Sequence, residues 1–320
     1  MNRLIAFAVA ILISSMSFAQ QDYPNRPMRL VIPWPPGQAT DLVGRVIAQK
    51  LSESFGHPMV ADNRSGAGGM IGTDIVAKAA PDGYTILAAS SGPVTVAPLL
   101  QKTSYVPQRD LAPVAIAGFS AFMLSTLPSF PAKDLKEFIT LVKNNPGKYT
   151  YGSSGTGASA HLAVEYFNGV AGIKGTHVPY KGSVPALTDL LGGQIAYLTE
   201  TVAATMPHVR ANRLKVYGIS TIKASPLAPG VPTIAVAGGF PGFDFAAWIG
   251  IMVSAGTPKP IVDKIAAGVD KVLQAQDARD RLASVGLDVN YHRADEMAAY
   301  LKKQSAQVAD IIRNANIKVE

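Results

Sequence analysis

The sequence predicts an α/β protein with two lobes, each built on a parallel sheet whose strands are joined by crossover helices. Short β-rich apolar runs alternate with runs whose apolar residues recur at helical spacing. Several predicted strands end in loops of glycine, serine and threonine. The 320 residues are 48% hydrophobic and include no cysteine, so stability must come from burial, and the chain is long enough for two cores.

The first unit shows how the elements follow from the sequence. Residues 28–34 form an apolar run typical of a buried strand, and a turn containing proline and glycine interrupts it. Apolar residues then recur at helical spacing from Leu42, and Gly56 ends the pattern. We expect Thr40 or Asp41 to cap this helix, because both side chains accept hydrogen bonds from free N–H groups.

The same unit repeats along the chain. Further strands are predicted at 59–61, 85–89, 119–127, 149–151, 177–180, 195–198, 216–220 and 248–254. A stretch rich in proline and glycine at 226–242 predicts a long return loop, and three helices complete the chain. The predicted lobes are 20–118 plus 250–320, and 119–249, so the backbone crosses between them twice and the lobes can hinge.

The first residues predict export. A short positive start at 1–3 precedes an apolar run at 4–13, and small side chains occupy Ser17 and Ala19. The apolar run is shorter than the ~20 residues that span a bilayer. We therefore expect residues 1–19 to be a signal peptide, cleaved before Gln20, and a soluble mature chain.

The charge pattern gives no sign of a nucleic-acid partner. The formal net charge is +7, but the lysines and arginines are scattered, and the longest run is Lys302-Lys303. We interpret these residues as a solvated surface whose weak positive field favours anionic solutes.

The loops that follow the strands suggest capture of an anion. The first turn of a helix has unpaired N–H groups and a positive dipole potential. Glycine lets a ligand approach the backbone, and serine or threonine adds hydroxyl donors. One such loop could serve only as a turn, but several of them at the carboxyl ends of strands converge on one crevice.

Motifs for catalysis or for a cofactor are missing from the sequence. The glycines at 66–72 do not have dinucleotide-binding spacing, no phosphate loop occurs, and 152–156 lacks the last glycine of a nucleophile elbow. None of the five histidines has a two-histidine metal spacing, and His161 with Glu165 supplies too few ligands. His161 then either faces a loop or is solvated or locally bonded. We expect no catalysis, no metal and no cofactor.

Six motifs resemble one protein family over essentially the whole mature chain. They are IPWPPGQATD at 32–41, DNRSGAGG at 62–69, APDGYT at 80–85, HVPYKGS at 177–183, DLLGGQ at 189–194 and VPT at 231–233. Together they resemble the Bug family of periplasmic solute-binding receptors of tripartite tricarboxylate transporters.

The resemblance implies a periplasmic binding protein of the Venus-flytrap, type II-like class that fixes a ligand carboxylate through loop N–H groups, hydroxyls and ordered waters. It also implies membrane transporter components as partners, and we expect a monomer. The ligand-binding residues that it implies here are Gln38, Ala39, Thr40, Asp41, Ser90, Ser91, Gly92, Ser153, Ser154, Thr156, Gly157, Ser159, Tyr180, Lys181, Glu200 and Thr201. Lys181 is either a partner for the carboxylate or an exposed loop lysine.

Two departures from the family pattern leave the identity of the solute undetermined. Gln38 stands where the family usually has a second glycine, and 199–201 reads Thr-Glu-Thr where Phe-Asp-Asn is common. Dicarboxylates, aromatic acids, acidic amino acids and nicotinate-like solutes all remain candidates. Two other functions also remain: a receptor that reports to a membrane sensor kinase, and an exported enzyme on the same scaffold.

Overall fold

The computed structural model of the chain describes residues 23–314 and 317, so the expected signal peptide lies outside the described residues. The strands are β1 Met28–Ile32, β2 Met59–Asn63, β3 Thr85–Ser90, β4 Leu111–Thr126, β5 Thr150–Ser153, β6 Thr176–Pro179, β7 Tyr197–Thr201, β8 Lys215–Ile219, β9 Ala246–Ser254 and β10 Asp288–Arg293. The helices are α1 Ala39–Phe55, α2 Met70–Ala77, α3 Ala97–Leu100, α4 Pro107–Asp110, α5 Leu135–Lys143, α6 Ser159–Ala171, α7 Ser183–Leu191, α8 Val202–Arg210, α9 Ile234–Gly238, α10 Lys259–Gln274, α11 Gln276–Ser284 and α12 Ala294–Asn314. Among these described helices, none has the length and apolar character needed to cross a membrane.

The strands form two sheets that share β4. In the first sheet β1 pairs in parallel with β2 and β3, while β9 lies antiparallel between β3 and β4, and β10 pairs with the other edge of β4. In the second sheet β5 pairs in parallel with β6 and β7, and the end of β4 pairs antiparallel with β7 and β8. Both sheets are therefore mixed and not purely parallel as predicted, because β4 and β9, which carry the chain between the sheets, run antiparallel to their neighbours.

The first unit forms as predicted except at its cap. Helix α1 is preceded by Gln38, whose backbone is extended (φ −79°, ψ 154°) and whose side chain makes no capping bond. Asp41 lies inside the first turn, where its Oδ2 accepts the Gly37 N–H at 2.9 Å. The prediction that Thr40 or Asp41 caps the helix is wrong, because the helix begins one residue before Thr40. It ends at Gly56, as expected.

The cores follow the two sheets, and a third cluster joins them. Residues of β1, β3 and β9 pack against α1 and α10 in the first sheet, and residues of β5 and β7 pack against α5 and α6 in the second. In the third cluster Val308 and Ile311 of α12 pack with Leu162 of α6 and with Phe122 and Phe245, where the chain passes between the sheets. The last helix therefore covers the junction.

Three elements differ from the sequence prediction. β4 begins at Leu111 instead of at 119, and Pro113 fits inside this strand because the register shifts there, so that its missing N–H disrupts no regular ladder. The expected return loop contains the short helix α9, which Thr233 caps by accepting a hydrogen bond from the Val236 N–H. β10 was not predicted, because its residues alternate between intermediate and exposed positions and show no apolar run.

Candidate ligand-binding site

A small cavity of about 30 Å³ lies where the loops of the two sheets meet. It brings together ten of the residues that the sequence predicted for the site: Gln38, Ala39, Thr40, Ser90, Ser91, Gly92, Ser154, Ser159, Glu200 and Thr201. The cavity thus collects residues from the carboxyl ends of strands in both sheets, as expected for converging strand-to-helix loops.

Three helices begin at the cavity wall. Ala39 and Thr40 open α1, Ser159 and Ala160 open α6, and Thr201 directly precedes α8. The first helical N–H groups to reach a carbonyl are those of residues 42 in α1 and 162 in α6, so the N–H groups before them make no bond within their helix. These unpaired groups and the aligned helix dipoles favour an anion at the cavity.

The two sheets touch across the cleft. Ser91 Oγ and Ser159 Oγ lie 2.6 Å apart, and Gln101 Nε2 donates to Thr156 O at 3.3 Å. A Cβ atom on Gly68 would lie only 2.4 Å from Thr156 O, so this position needs glycine for the approach of the two backbones. The structure therefore shows the cleft closed.

Glu200 is the one acidic side chain in the described cavity wall. It is 1% exposed, and its Oε2 accepts the Thr201 N–H at 3.0 Å, while Oε1 has no hydrogen-bond partner among the described residues. Burial raises the pKa of the Glu200 carboxyl, and the Thr201 N–H and the nearby Ser183 and Ser154 hydroxyls act in the opposite direction. No lysine, arginine or histidine of the described chain lines the cavity with it.

Five residues of the cavity wall were missed by the sequence reasoning: Trp34, Phe122, Ala160, Ala247 and Ile249. Trp34 lies two residues after the end of β1, and its Nε1 donates to Ser90 Oγ at 2.9 Å. The end of the first predicted strand could have indicated Trp34. Phe122 lies on β4, and Ala247 and Ile249 lie on β9; only the antiparallel pairing of β4 with β7 and β9 brings them to the cavity.

Asp41 and Ser153 were predicted at the site but lie behind the cavity wall. Asp41 is 2% exposed and is held by the Arg45 guanidinium and the Asn63 amide as well as by the Gly37 N–H. Ser153 Oγ lies 2.7 Å from His177 Nε2 and accepts the Gly155 N–H at 3.2 Å. Both side chains therefore fix the shape of a loop.

Four further predicted residues also lie outside the cavity. Thr156 contacts the opposite sheet through its carbonyl, and Gly157 packs near Ala97 with a left-handed backbone (φ +77°). The Tyr180 hydroxyl donates to Asp189 Oδ2 at 2.7 Å, and Lys181 is exposed. Lys181 is therefore an exposed loop residue in the closed cleft and does not line the cavity.

His161 is buried and locally bonded, one of the alternatives that the sequence left open. Its Nδ1 accepts the Gly157 N–H at 3.4 Å, and its ring stacks on His177 with centroids 4.2 Å apart. Burial, with the neighbouring His177, lowers the pKa of His161 to about 3, and burial lowers that of His177 to about 4. Within the described part of the chain, no group of three or more potential ligands could hold a metal ion.

Comparison with known proteins gives consistent matches over nearly the whole chain. The family model described as "Tripartite tricarboxylate transporter family receptor" matches residues 43–317. Protein BugT of Bordetella pertussis is 34% identical over 326 residues, which cover 100% of this chain and 99% of BugT.

Two solved structures are similar throughout the fold. An R. palustris protein solved with adipate has a TM-score of 0.89 and 31% identity, covering 93% of this chain and 99% of the other. The periplasmic binding protein BugD has a TM-score of 0.87 and 32% identity, covering 92% and 99% of the two chains. These matches confirm the predicted two-lobed α/β fold of periplasmic binding proteins.

Proposed function

Because this chain belongs to the receptor family of tripartite tricarboxylate transporters, we propose that it captures a small carboxylated solute between its lobes and delivers it to a membrane transporter. The membership agrees with the resemblance of the sequence motifs to the Bug family. The family is made of solute-binding receptors, and we propose that this chain likewise performs no chemistry on its solute.

The observation that carries the proposal is the meeting of three helix N-termini at one buried cavity. The starts of α1, α6 and α8 surround the cavity, and serine and threonine hydroxyls complete its wall. Unpaired N–H groups and hydroxyls make charge-assisted hydrogen bonds to a carboxylate without a basic side chain. The similar R. palustris protein was solved with adipate, and we propose the same chemical class of ligand here.

We propose that ten residues contact the solute: Gln38, Ala39, Thr40, Ser90, Ser91, Gly92, Ser154, Ser159, Glu200 and Thr201. Asp41, Ser153, Thr156 and Gly157 support the loops that carry these contacts. Tyr180 and Lys181 are left out of this set, since the Tyr180 hydroxyl is bonded to Asp189 and the Lys181 side chain is exposed.

We also propose where the lobes divide. Ala121 of β4 pairs with Ala246 of the first sheet, whereas Phe122 pairs with Thr201 of the second. The Phe245 N–H donates to Ser220 O, next to β8. The two crossings then lie after Ala121 and before Ala246, close to the boundaries expected from the sequence, and they form the hinge on which the lobes close.

The cellular setting follows from the family. We propose that residues 1–19 direct export, that the mature protein works in the periplasm as a monomer, and that its partners are the membrane components of a tripartite tricarboxylate transporter. The matches to a transporter receptor family and to the periplasmic binding protein BugD support this setting.

A thermal-shift screen of small carboxylic acids tests the proposed function. A ligand at 100 times its Kd adds about 2.7 kcal/mol to the free energy of unfolding, so a true ligand raises the melting temperature by several degrees. The methyl esters of the same acids serve as controls, because they lack the charge that the helix N-termini bind. If no acid stabilises the protein, or if the esters stabilise it equally, the proposal is wrong.

A further inference from the structure

Two acceptor oxygens in the cavity wall have no donor. Glu200 Oε1 and Gln38 Oε1 are both buried, at 1% and 7% exposure of their residues, and neither has a hydrogen-bond partner among the described residues. The oxygens of an ionised carboxylate can accept hydrogen bonds but cannot donate them, and the same holds for an amide oxygen. Neither atom has a well-placed donor among the described residues, although the Ser183 and Ser154 hydroxyls lie near the Glu200 carboxyl.

The neighbouring groups do not neutralise the Glu200 carboxylate. The Ser183 and Ser154 hydroxyls lie near the Glu200 carboxyl and favour its ionised form, but a hydroxyl is neutral, so it leaves the charge of the carboxylate without a counter-charge. Arg45 binds Asp41 outside the cavity. A buried carboxylate without a counter-charge is unfavourable, so the missing cation has to come from the solute.

The local backbone favours the ionised form of Glu200 once such a cation is bound. Oε2 already accepts the Thr201 N–H, and α8 begins at the next residue, so its dipole stabilises a negative charge here. A protonated Glu200 could satisfy Oε1 by donating to a solute carboxylate, but it would leave Gln38 Oε1 without a donor. A protonated amino group carries three N–H donors and can serve both acceptors.

We infer that the solute is zwitterionic, with its carboxylate at the N-termini of α1 and α6 and a protonated amino group bound by Glu200, and with Gln38 as a second acceptor. This inference rests on the proposed function and specifies its substrate class. It places the two charges of the solute at different walls of one cavity, so an amino acid or a short amino-carboxylate pairs with Glu200 as the cleft closes on it, whereas a simple dicarboxylate leaves Glu200 unpaired.

Titration calorimetry on the mature protein with matched pairs of probes tests the inference. The pairs are succinate with aspartate, glutarate with glutamate, and butyrate with 4-aminobutyrate. We expect the amino member of at least one pair to bind about 100-fold more tightly than its partner, the range expected when a buried charge finds its counter-charge. Equal binding within every pair, or tighter binding of the member without nitrogen, would overturn the inference and leave the proposed function standing.

Glu200→Gln then identifies the residue responsible. It keeps the size of the side chain and removes its charge, so we expect the preference for the amino member to fall to within about threefold. Glu165→Gln is the matched control: Glu165 is a half-buried carboxylate of the same lobe that accepts the Tyr151 hydroxyl and lies outside the cavity. Retention of the preference in Glu200→Gln contradicts the inference. The matched pairs measured on the wild-type protein test the inference even if this variant does not fold. Failure of every acid and amino acid to bind would instead refute the proposed function itself.

Discussion

Ser91 Oγ lies 2.6 Å from Ser159 Oγ, and this hydrogen bond joins the end of β3 in the first sheet to the start of α6 in the second. Both serines are buried and both line the cavity. Because the two residues belong to different lobes in our proposal, the bond exists only when the cleft is closed. It therefore couples closure of the lobes to the geometry of the solute site.

Loss of this bond should weaken solute binding. We expect Ser91→Ala and Ser159→Ala each to raise the Kd about fivefold, the equivalent of one hydrogen bond worth about 1 kcal/mol. The Kd of the double variant should rise by less than the product of the two single increases, because the two serines share one interaction. Calorimetry measures all three, with the exposed Ser284→Ala as control. Fully multiplicative losses would show that the bond does not couple the two residues.

Gly157→Asp should prevent closure. A Cβ atom at Gly157 would lie 2.5 Å from Gln101 Nε2 and 3.0 Å from Ala97 Cβ in the opposite lobe. We expect the affinity for the solute to fall more than tenfold, since closure can no longer bring the two sides of the cavity together.

Gly147→Asp is the matched control for this variant. Gly147 has nearly the same left-handed backbone (φ +76°), so the substitution brings a similar strain, but nothing lies within 4 Å of the added Cβ. Comparing the two variants by calorimetry and by melting temperature distinguishes the effect of blocked closure from the effect of backbone strain. If both bind the solute equally well, the contact across the cleft is unimportant for binding.

The two tryptophans should differ as reporters of the solute. Trp34 lines the cavity, whereas Trp248 is fully buried and its Nε1 donates to Gln304 Oε1 at 2.7 Å. We expect the solute to change the fluorescence of the Trp248→Phe variant, which keeps Trp34, and to leave that of Trp34→Phe unchanged. The reverse pattern in a fluorescence titration would place the solute away from the cavity.

Acid should destabilise the protein through its two stacked histidines. The pKa of His161 is lowered from 6.5 to about 3 and that of His177 to about 4, so below pH 6.5 the unfolded chain binds protons that the folded protein does not. The stability they contribute is present above pH 6.5 and is lost as the pH falls toward 4 for His177 and toward 3 for His161.

His161→Gln should reduce this dependence while keeping an acceptor for the Gly157 N–H. The variant takes up one proton fewer on unfolding, so the slope of the free energy of unfolding against pH falls by about 1.4 kcal/mol per pH unit at most. Urea unfolding at several values between pH 6.5 and pH 4 measures the slope for the variant and the wild type. An unchanged slope would mean that His161 is protonated in the folded protein.

The strand-to-helix units were predictable from the sequence because their signals are local. Periodicity and turn residues were enough to predict strands near Ser90 and Glu200 and a helix near Ser159. The carboxyl ends of parallel strands meet at one edge of a sheet, so these residues could be expected at a common crevice. The structure brings all three to the cavity wall.

The remaining wall residues could not be predicted, because they depend on contacts between distant segments. Phe122 and Ala247 reach the cavity only through the pairing of β4 with β7 and β9, which no local pattern reveals. The direction in which a loop turns its side chains is also set by distant partners. Ser153 lies behind the cavity wall because its hydroxyl is bonded to His177, a residue of the next strand.

The binding of a small carboxylate by the closed cleft is the central claim, and calorimetry with the acids or amino acids that raise the melting temperature measures it directly. We expect one solute per chain with a Kd on the order of 0.1–10 μM, equivalent to about −8 kcal/mol. This affinity is the balance of several charge-assisted hydrogen bonds against the costs of association and closure. Absence of binding heat for every carboxylate and amino-carboxylate in a broad library would contradict it.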